Sequence, residues 1–425
     1  MIRKQNVLVF PCGSEIGLEL FRSLSSSTHL NLFGASSVSS NHGKYLYKNY
    51  VEGLPYVHDP GFIYAVNTII DEYHIDFLFP AYDSIVLSFA THRKELNCKV
   101  IGSPMLTCQI CRSKRSTYET FASLLKVPKV HERLEQISKW PVFFKPDVGQ
   151  GSQCTYLVGS RDEAKFYLNR DPSLLVTEYL PGVEYTIDCF TDYQRRLRFV
   201  GARERIRIRN GISVHSRPVY DSTFHEMAEI INDTLEFRGV WFFQAKESID
   251  GTPTLIEIAP RVAGTMSLYR NLGVNFALLS VFDAMGLEVD IMCNDYNIEV
   301  DRALTNRFKS NLNYRHLYID LDDCVIYEGK VNLQVVALLF QCLNRNIKLH
   351  LLTSHAGSVE GTLKRHRLTG LFDEIIHLHP EESKSTHIKH RNAVFVDDSF
   401  AERKEVRTKL GIPVFAPDAI ECLLK

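Results

Sequence analysis

Two pairs of carboxylates close two apolar runs. Asp320 and Asp322 follow residues 317–319, and about seventy residues later Asp397 and Asp398 follow residues 393–396. Carboxylates on the ends of two separate strands make a socket for a hard cation such as Mg²⁺. They also offer one aspartate to attack phosphorus and another to carry the proton, which is the chemistry of phosphoester hydrolysis. A carboxylate approaching a phosphate dianion is repelled, so a cation and a lysine must lie close by. The plain alternative for an isolated Asp-x-Asp is an exposed turn.

A second set of phosphate-handling residues lies upstream. Lys145 ends an apolar run and enters a loop containing Gly149 and Gly151. A point charge beside exposed backbone N–H groups is one way to hold phosphate oxygens, although such a loop can equally be a turn. It is no Walker loop, since Ser152-Gln153 follows Gly151. Glu178, at a strand end, suits an adenine amino group and ribose hydroxyls. Gln244 and Glu257 fall on consecutive expected strands, and if those strands pair, both side chains converge on Mg²⁺ bridging phosphates. Arg261 follows, suited to neutralising a transferring phosphoryl or acyl-phosphate group. Arg203, Arg205, Arg207 and Arg209 occupy every second position, so a strand would place all of them on one face. Like charges on one face need anions opposite. Local acids can serve, or a nucleic acid, although interleaved aromatics are missing.

Strand ends must position these groups. Residues 7–10, 30–35, 77–80 and 99–101 read as strands alternating with helical periods at 18–24, 63–73 and 86–96, which predicts a parallel sheet with helices on both faces. The turn Gly13-Ser14-Glu15-Ile16-Gly17 is weakly dinucleotide-like: it lacks the full G-x-G-x-x-G, and Ser36-Ser37 stand where an acidic residue is wanted. A small substrate at the strand ends is the better expectation. Farther on, the pattern predicts a helix at 113–125, strands at 142–146 and 174–178, and long antiparallel strands at 185–190 and 197–208. A strand pair at 241–246 and 254–258 turns through Asp250-Gly251, bracketed by helices at about 222–235 and 274–285. The polar stretch 290–312 is the expected linker. Strands at 317–319, 348–353, 374–378, 393–396 and 414–416, with a helix at 334–343, predict a final parallel α/β unit. The expected domains are 1–103, 104–310 and 314–425.

Composition bounds the rest. The 425 residues allow roughly three domains, and 45% hydrophobic with 23% charged residues is the balance of a soluble globular chain. A formal net charge of −1 gives no reason to expect nucleic acid or an anionic membrane as partner. No run approaches the ~18 apolar residues of a transmembrane helix, and residues 7–10 are too short for the apolar part of a signal peptide. Ten cysteines are scattered along the chain. Cys108 and Cys111 alone have metal-like spacing, with no second pair or histidine to complete a zinc set. Reduced thiols and a cytoplasmic location are the expectation.

Taken together, the upstream segments resemble the ATP-grasp family of carboxylate–amine ligases, which includes enzymes like carbamoyl-phosphate synthase, over roughly residues 1–310. The resemblance implies an ATP-grasp α+β fold preceded by an N-terminal α/β domain, with ATP and Mg²⁺ as cofactors. It matches Lys114 and Lys145 to the lysines that hold ATP phosphates. It makes Gly149-Gln150-Gly151-Ser152 the lid over them, Glu178 with Leu180 the adenine–ribose contact, and Glu184 a further nucleotide-side carboxylate. Arg203 or Arg205 would meet the triphosphate. Gln244 and Glu257 match metal-binding positions, and Glu257-Ile258-Ala259-Pro260-Arg261 resembles the family's Glu-x-Asn-Pro-Arg motif. Ala259 departs from it, because alanine cannot coordinate a metal. A version that only binds nucleotide or substrate is the alternative that this departure keeps open.

Residues 314–425 resemble the haloacid dehalogenase superfamily, with Asp320-Leu321-Asp322-Asp323-Cys324-Val325 as the first signature. The resemblance makes Asp320 the nucleophile and Asp322 the acid/base. Thr353 would hold the phosphoryl group, Lys384 (with Lys389 as runner-up) would steady the intermediate, and Asp397 and Asp398 would bind metal. About thirty residues separate Asp320 from Thr353, too few for a substantial cap domain, so the expected Rossmann-like unit is capless and its site open. The whole reads as a bifunctional enzyme: an ADP-forming ligase acting through an acylphosphate, joined to a phosphomonoesterase. Its partners would be a small carboxylate, an amine and a phosphorylated metabolite, with room for a homo-oligomer.

Overall fold

The first strand, Gln5–Phe10, buries Val7 and Val9 in one apolar cluster and Leu8 and Phe10 in another. Burial on both faces is what a parallel sheet under crossover helices requires. The structure, a computed structural model, describes residues 3–149, 151, 153–209, 211–306, 308 and 310–424. In the N-terminal sheet the spatial order is Asn49–Glu52, Leu30–Ser36, Gln5–Phe10, Phe77–Pro80 and Lys99–Val100, all parallel. Helix Glu15–Leu24 begins where Ser14 Oγ accepts the Gly17 N–H, so the glycine turn launches the helix. The chain forms two compact units, Met1–Leu304 and Thr305–Lys425.

Two further sheets complete the first unit. A three-stranded sheet sets Val142–Pro146 between Tyr156–Val158 and Leu174–Glu178. A six-stranded antiparallel sheet runs Pro253–Ala259, Gly239–Glu247, Glu184–Thr191, Leu197–Arg209, Ile212–Val219 and Val300–Asp301. Alternation sorts its faces. Trp241, Phe243 and Ala245 pack with Met227 and Ile231 of helix Ser222–Thr234, which turns Phe242, Gln244 and Lys246 to the other side.

Two expectations are corrected here. Strand Val300–Asp301 pairs with Ser216 and His215, and the Arg302 N–H donates to Val214 at 2.7 Å. The first part of the expected linker 290–312 is therefore docked, up to Arg302, while the division between the two units, after Leu304, still falls inside it. The four arginines also do not share one face. Register shifts after Arg205 and Arg207 break the period-two alternation, and Arg207 pairs with exposed Asp301 at 2.8 Å.

In the second unit the parallel order is Glu374–His377, Lys348–Thr353, His316–Ile319, Ala393–Val396 and Val414–Phe415. Leu317 and Ile319 face one apolar cluster and Tyr318 the other. Between Asp320 and Thr353 lie a small hairpin, Ile326–Tyr327 with Lys330–Val331, and helix Leu333–Asn344.

Candidate active sites

In the first unit a cavity of about 830 Å³ opens over the inner face of the six-stranded sheet. Lys145 reaches it from the strand Val142–Pro146. Its Nζ donates to the Tyr118 hydroxyl at 2.5 Å and lies 5.0 Å from that ring. Burial, reinforced by the charge of Lys114, pulls the Lys145 ammonium down to about 7. Lys114 starts the helix Lys114–Phe121, capped by Ser113. Asp147 ties that helix to the Lys145 loop, accepting from Ser113 Oγ at 2.9 Å and from the Arg115 N–H at 2.7 Å.

The remaining walls come from several elements. Gly149, Gly151, Glu178 and Leu180 line the cavity, as do Glu184, Arg203 and Arg205. Ser152 lies outside the described residues. Gln244 and Glu257 face each other in register across paired strands, and both line the cavity. An amide oxygen beside a carboxylate is a hard-oxygen pair of the kind Mg²⁺ takes. Two residues along, Ala259 opposes Phe242, and the Arg261 guanidinium lies 5.1 Å from that ring. Apolar side chains thus face each other at that step of the sheet.

The two cavity arginines are already engaged. Arg203 is buried, with its guanidinium in a forked pair with Asp188 at 2.7 and 3.1 Å and a further hydrogen bond to Thr265. Removing one partner of such a pair costs about 3–5 kcal/mol, so Arg203 braces the wall. Arg205 pairs with Glu184 at 3.0 Å and donates to the Gly211 carbonyl at 2.8 Å, while its Nε is buried without a hydrogen-bond partner.

Arg261 pairs with Asp83 through two hydrogen bonds of 2.6 and 2.9 Å. Burial raises the Asp83 carboxyl, but the charges of Arg261, Arg112 and Lys114 outweigh it and hold it below its ordinary range. Asp83 is a site residue that the pattern hides, because it opens helix Asp83–Thr91 as any acidic first-turn residue does. Ser14 and Glu15 of the glycine turn also line this cavity.

In the second unit, adjacent parallel strands deliver Asp320, Thr353 and Asp397 to the same sheet edge, the edge where open α/β sheets hold ligands. Lys384 is buried between two carboxylates, 3.1 Å from Asp320 Oδ1 and 2.6 Å from Asp397 Oδ2. Burial raises Asp320 despite Lys384 and the Thr353 hydroxyl, and it lifts Asp397 to about 6. Burial disfavours the Lys384 charge, but the two aspartates overcome this and raise it. Lys389 instead pairs with Glu374 at 3.4 Å, away from Asp320.

Asp397, expected as a metal ligand, is engaged by protein groups on both oxygens. One oxygen holds Lys384 and the other accepts the Ser399 N–H at 2.8 Å. The remaining cluster is Asp320, Cys324 and Asp398, whose ligand atoms lie within 4.8 Å of one another. The two carboxylates fit Mg²⁺, whereas burial keeps the Cys324 thiol protonated. Asp322 is half exposed and accepts from His355 Nδ1 at 2.9 Å. His355 lies two residues beyond Thr353, and nothing in its spacing signalled this contact.

Residues 170–303 match the profile of a family described as ATP-grasp in the biosynthetic pathway with Ter operon. No curated protein matches in sequence. Solved structures with a similar fold include Rhizobium etli pyruvate carboxylase (TM-score 0.57, 14% identity, 68% of this chain covered). This chain spans 29% of that enzyme's length. Biotin carboxylase from Campylobacter jejuni, in complex with β,γ-ATP, gives the same three figures, with 73% of its own chain covered. L-amino acid ligase from Bacillus licheniformis gives a TM-score of 0.54 at 17% identity, covering 67% of this chain and 75% of its own. Among the described residues, no helix is long and apolar enough to cross a membrane. About 68% of the chain therefore has an ATP-grasp-like α/β fold, with mixed parallel and antiparallel sheets.

Proposed function

We propose that the first unit is an ATP- and Mg²⁺-dependent carboxylate–amine ligase that releases ADP. The observation that carries this reading is one cavity collecting Lys114, Lys145, Glu178, Gln244, Glu257 and Arg261. The lysines hold the phosphates, Glu178 and Leu180 take the adenine–ribose end, and Arg261 neutralises charge at the transferring phosphoryl group. Mg²⁺ held by Gln244 and Glu257 would offset phosphate charge. A substrate carboxylate attacks the γ-phosphorus, forming an acylphosphate as the bond to ADP breaks. The amine then attacks the acyl carbon, and phosphate leaves as the amide forms.

The second unit is proposed as a phosphomonoesterase of the haloacid dehalogenase type. Asp320 attacks phosphorus, the ester oxygen leaves with a proton from Asp322, and Asp322 then takes a proton from the water that hydrolyses the aspartyl phosphate. Lys384 balances the charge, and Mg²⁺ between Asp320 and Asp398 would lower the repulsion of the incoming dianion. All ten cysteines are free thiols, which supports a cytoplasmic setting.

The test is ADP release over a panel of carboxylates and amines with ATP and Mg²⁺, run in parallel with Asp320→Asn. Accumulation of a phosphorylated product only in the variant places the two sites in series. Identical product mixtures would sink that link. The apolar Phe242–Ala259 pair favours one rival, a first unit that binds nucleotide without turning it over. ATP binding with no ADP release across the panel would establish that rival.

Lys145 adds a pH signature. Its ammonium titrates near 7 in the free protein, and a triphosphate beside it raises that value. Binding therefore takes up a proton, and affinity should fall up to ~10-fold per pH unit above 7 until the bound-state value is reached. Calorimetry in buffers of different ionisation enthalpy measures the uptake, and Lys145→Met should abolish it. A pH-independent affinity from 7 to 9 would rule the assignment out.

A further inference from the structure

Three histidines of the second unit meet at the opposite end of the strand that leads to Asp320. His316 opens that strand, His350 lies on Lys348–Thr353, and His390 just precedes Ala393–Val396. One ring nitrogen from each lies within 4.8 Å of the others. His350 is buried, and its Nδ1 donates to the Glu374 carboxylate at 2.9 Å. That bond fixes the tautomer, so the His350 Nε2 lone pair points into the cluster and accepts the His316 Nδ1–H at 3.0 Å, a bond that a metal ion would replace. His390 Nδ1 is held by the Tyr318 hydroxyl at 2.7 Å. A histidine oriented through its second nitrogen by a carboxylate is the arrangement that metal-ligating imidazoles use.

We propose that His316, His350 and His390 form a site for a divalent transition-metal ion, with zinc the best match and Glu374 as a positioning residue. An all-imidazole set suits zinc and excludes the hard cations Mg²⁺ and Ca²⁺. Zinc–nitrogen bonds of about 2.0–2.1 Å in a tetrahedron put the nitrogens ~3.4 Å apart, a spacing within the reach of this cluster. The His316 and His390 rings are stacked at 3.6 Å and 6°, so their lone pairs do not yet converge. Both rings are only partly buried and can turn about χ2, whereas buried His350 is the fixed anchor. Water completes the coordination. At about 3.3 Å per strand residue, four residues separate His316 from Asp320 by ~13 Å. The ion would therefore clamp three strands and take no part in phosphate chemistry, and the inference does not depend on the function proposed for either unit.

The experiment uses the full chain, reduced, stripped with chelator, and carrying Cys154→Ser and Cys293→Ser to remove the exposed thiols. Zinc is titrated against a chromophoric chelator, and cobalt is substituted to read the ligand set. The expected result is one tightly bound equivalent with a nitrogen–oxygen cobalt spectrum and a raised unfolding temperature. His390→Asn should weaken binding at least 100-fold, and Glu374→Gln about 10–100-fold. His390 lies in a loop, so its variant should retain the parent's circular dichroism, and Glu374→Gln provides a second reading that leaves all ligands in place. Zinc stoichiometry unchanged by His390→Asn, or no zinc retained against the chelator by the parent, would overturn the site.

Discussion

Asp320→Asn is expected to lower phosphomonoester hydrolysis by about 10⁴-fold or more while leaving the second unit folded. An amide nitrogen or oxygen cannot form the aspartyl phosphate, and loss of a nucleophile removes most of the catalysis that depends on it. The substitution is nearly isosteric, and Lys384 keeps its 2.6 Å contact with Asp397. Stability should not fall, and the sign follows from linkage. Burial raises the Asp320 carboxyl above its ordinary 3.8, so its contribution to folding is fullest below that value and is lost as pH rises through the folded value. At pH 7 a neutral side chain there is tolerated as well as the charged one. Hydrolysis by the parent should also fall on its acid limb near pH 6. Burial lifts Asp397 to about 6, and protonating it would loosen its hold on Lys384, which also steadies Asp320. Phosphate release from a panel of phosphomonoesters, with unfolding followed in parallel, measures both effects. More than a hundredth of parental activity in the variant would exclude Asp320 as nucleophile.

Most of this arrangement is visible in the sequence because strand ends are written in apolar runs. The runs before Lys145, Glu178, Asp320 and Asp397 each end where the structure ends or nearly ends a strand. Gln244 and Glu257 could be placed opposite each other once their strands were expected to pair. The misses have physical causes. Asn49–Glu52 and Val300–Asp301 are short edge strands, partly exposed, and their register is set by neighbours instead of their own pattern. The bulges that scatter the arginines arise where Arg205 closes on Glu184 and Arg207 on Asp301. No alternation in sequence reports an ion pair that distant. Asp83, His355 and Asp147 are isolated polar residues brought in by tertiary packing, so local spacing carries no sign of them. Asp397 shows the converse. Its residue type and position fit a metal ligand, and only the structure shows that both oxygens already carry hydrogen bonds, from Lys384 and from the Ser399 N–H.

Arg261→Met is expected to reduce ADP-forming turnover by about 10²–10³-fold, the cost of removing one preorganised donor from a site where charge develops. The same change harms folding, and the two effects must be separated. Arg261 is 13% exposed and Asp83 15%, and they meet through two hydrogen bonds. Stripping the guanidinium strands a mostly buried carboxylate, for which about 3–5 kcal/mol of destabilisation is ordinary. Adding Asp83→Asn removes that stranded charge, and replacing both partners of a buried pair by neutral groups is often close to neutral. The double variant should therefore regain most of the parent's resistance to urea but stay slow in ADP release with whichever carboxylate–amine pair the parent accepts. Single-turnover kinetics separate the phosphoryl step from nucleotide affinity, which Lys114 and Lys145 should still supply. If the double variant recovers turnover along with stability, Arg261 only braces Asp83, and charge neutralisation must come from elsewhere in the cavity. Arg205 is then the candidate, since it lines the same cavity with a buried Nε that no hydrogen bond satisfies.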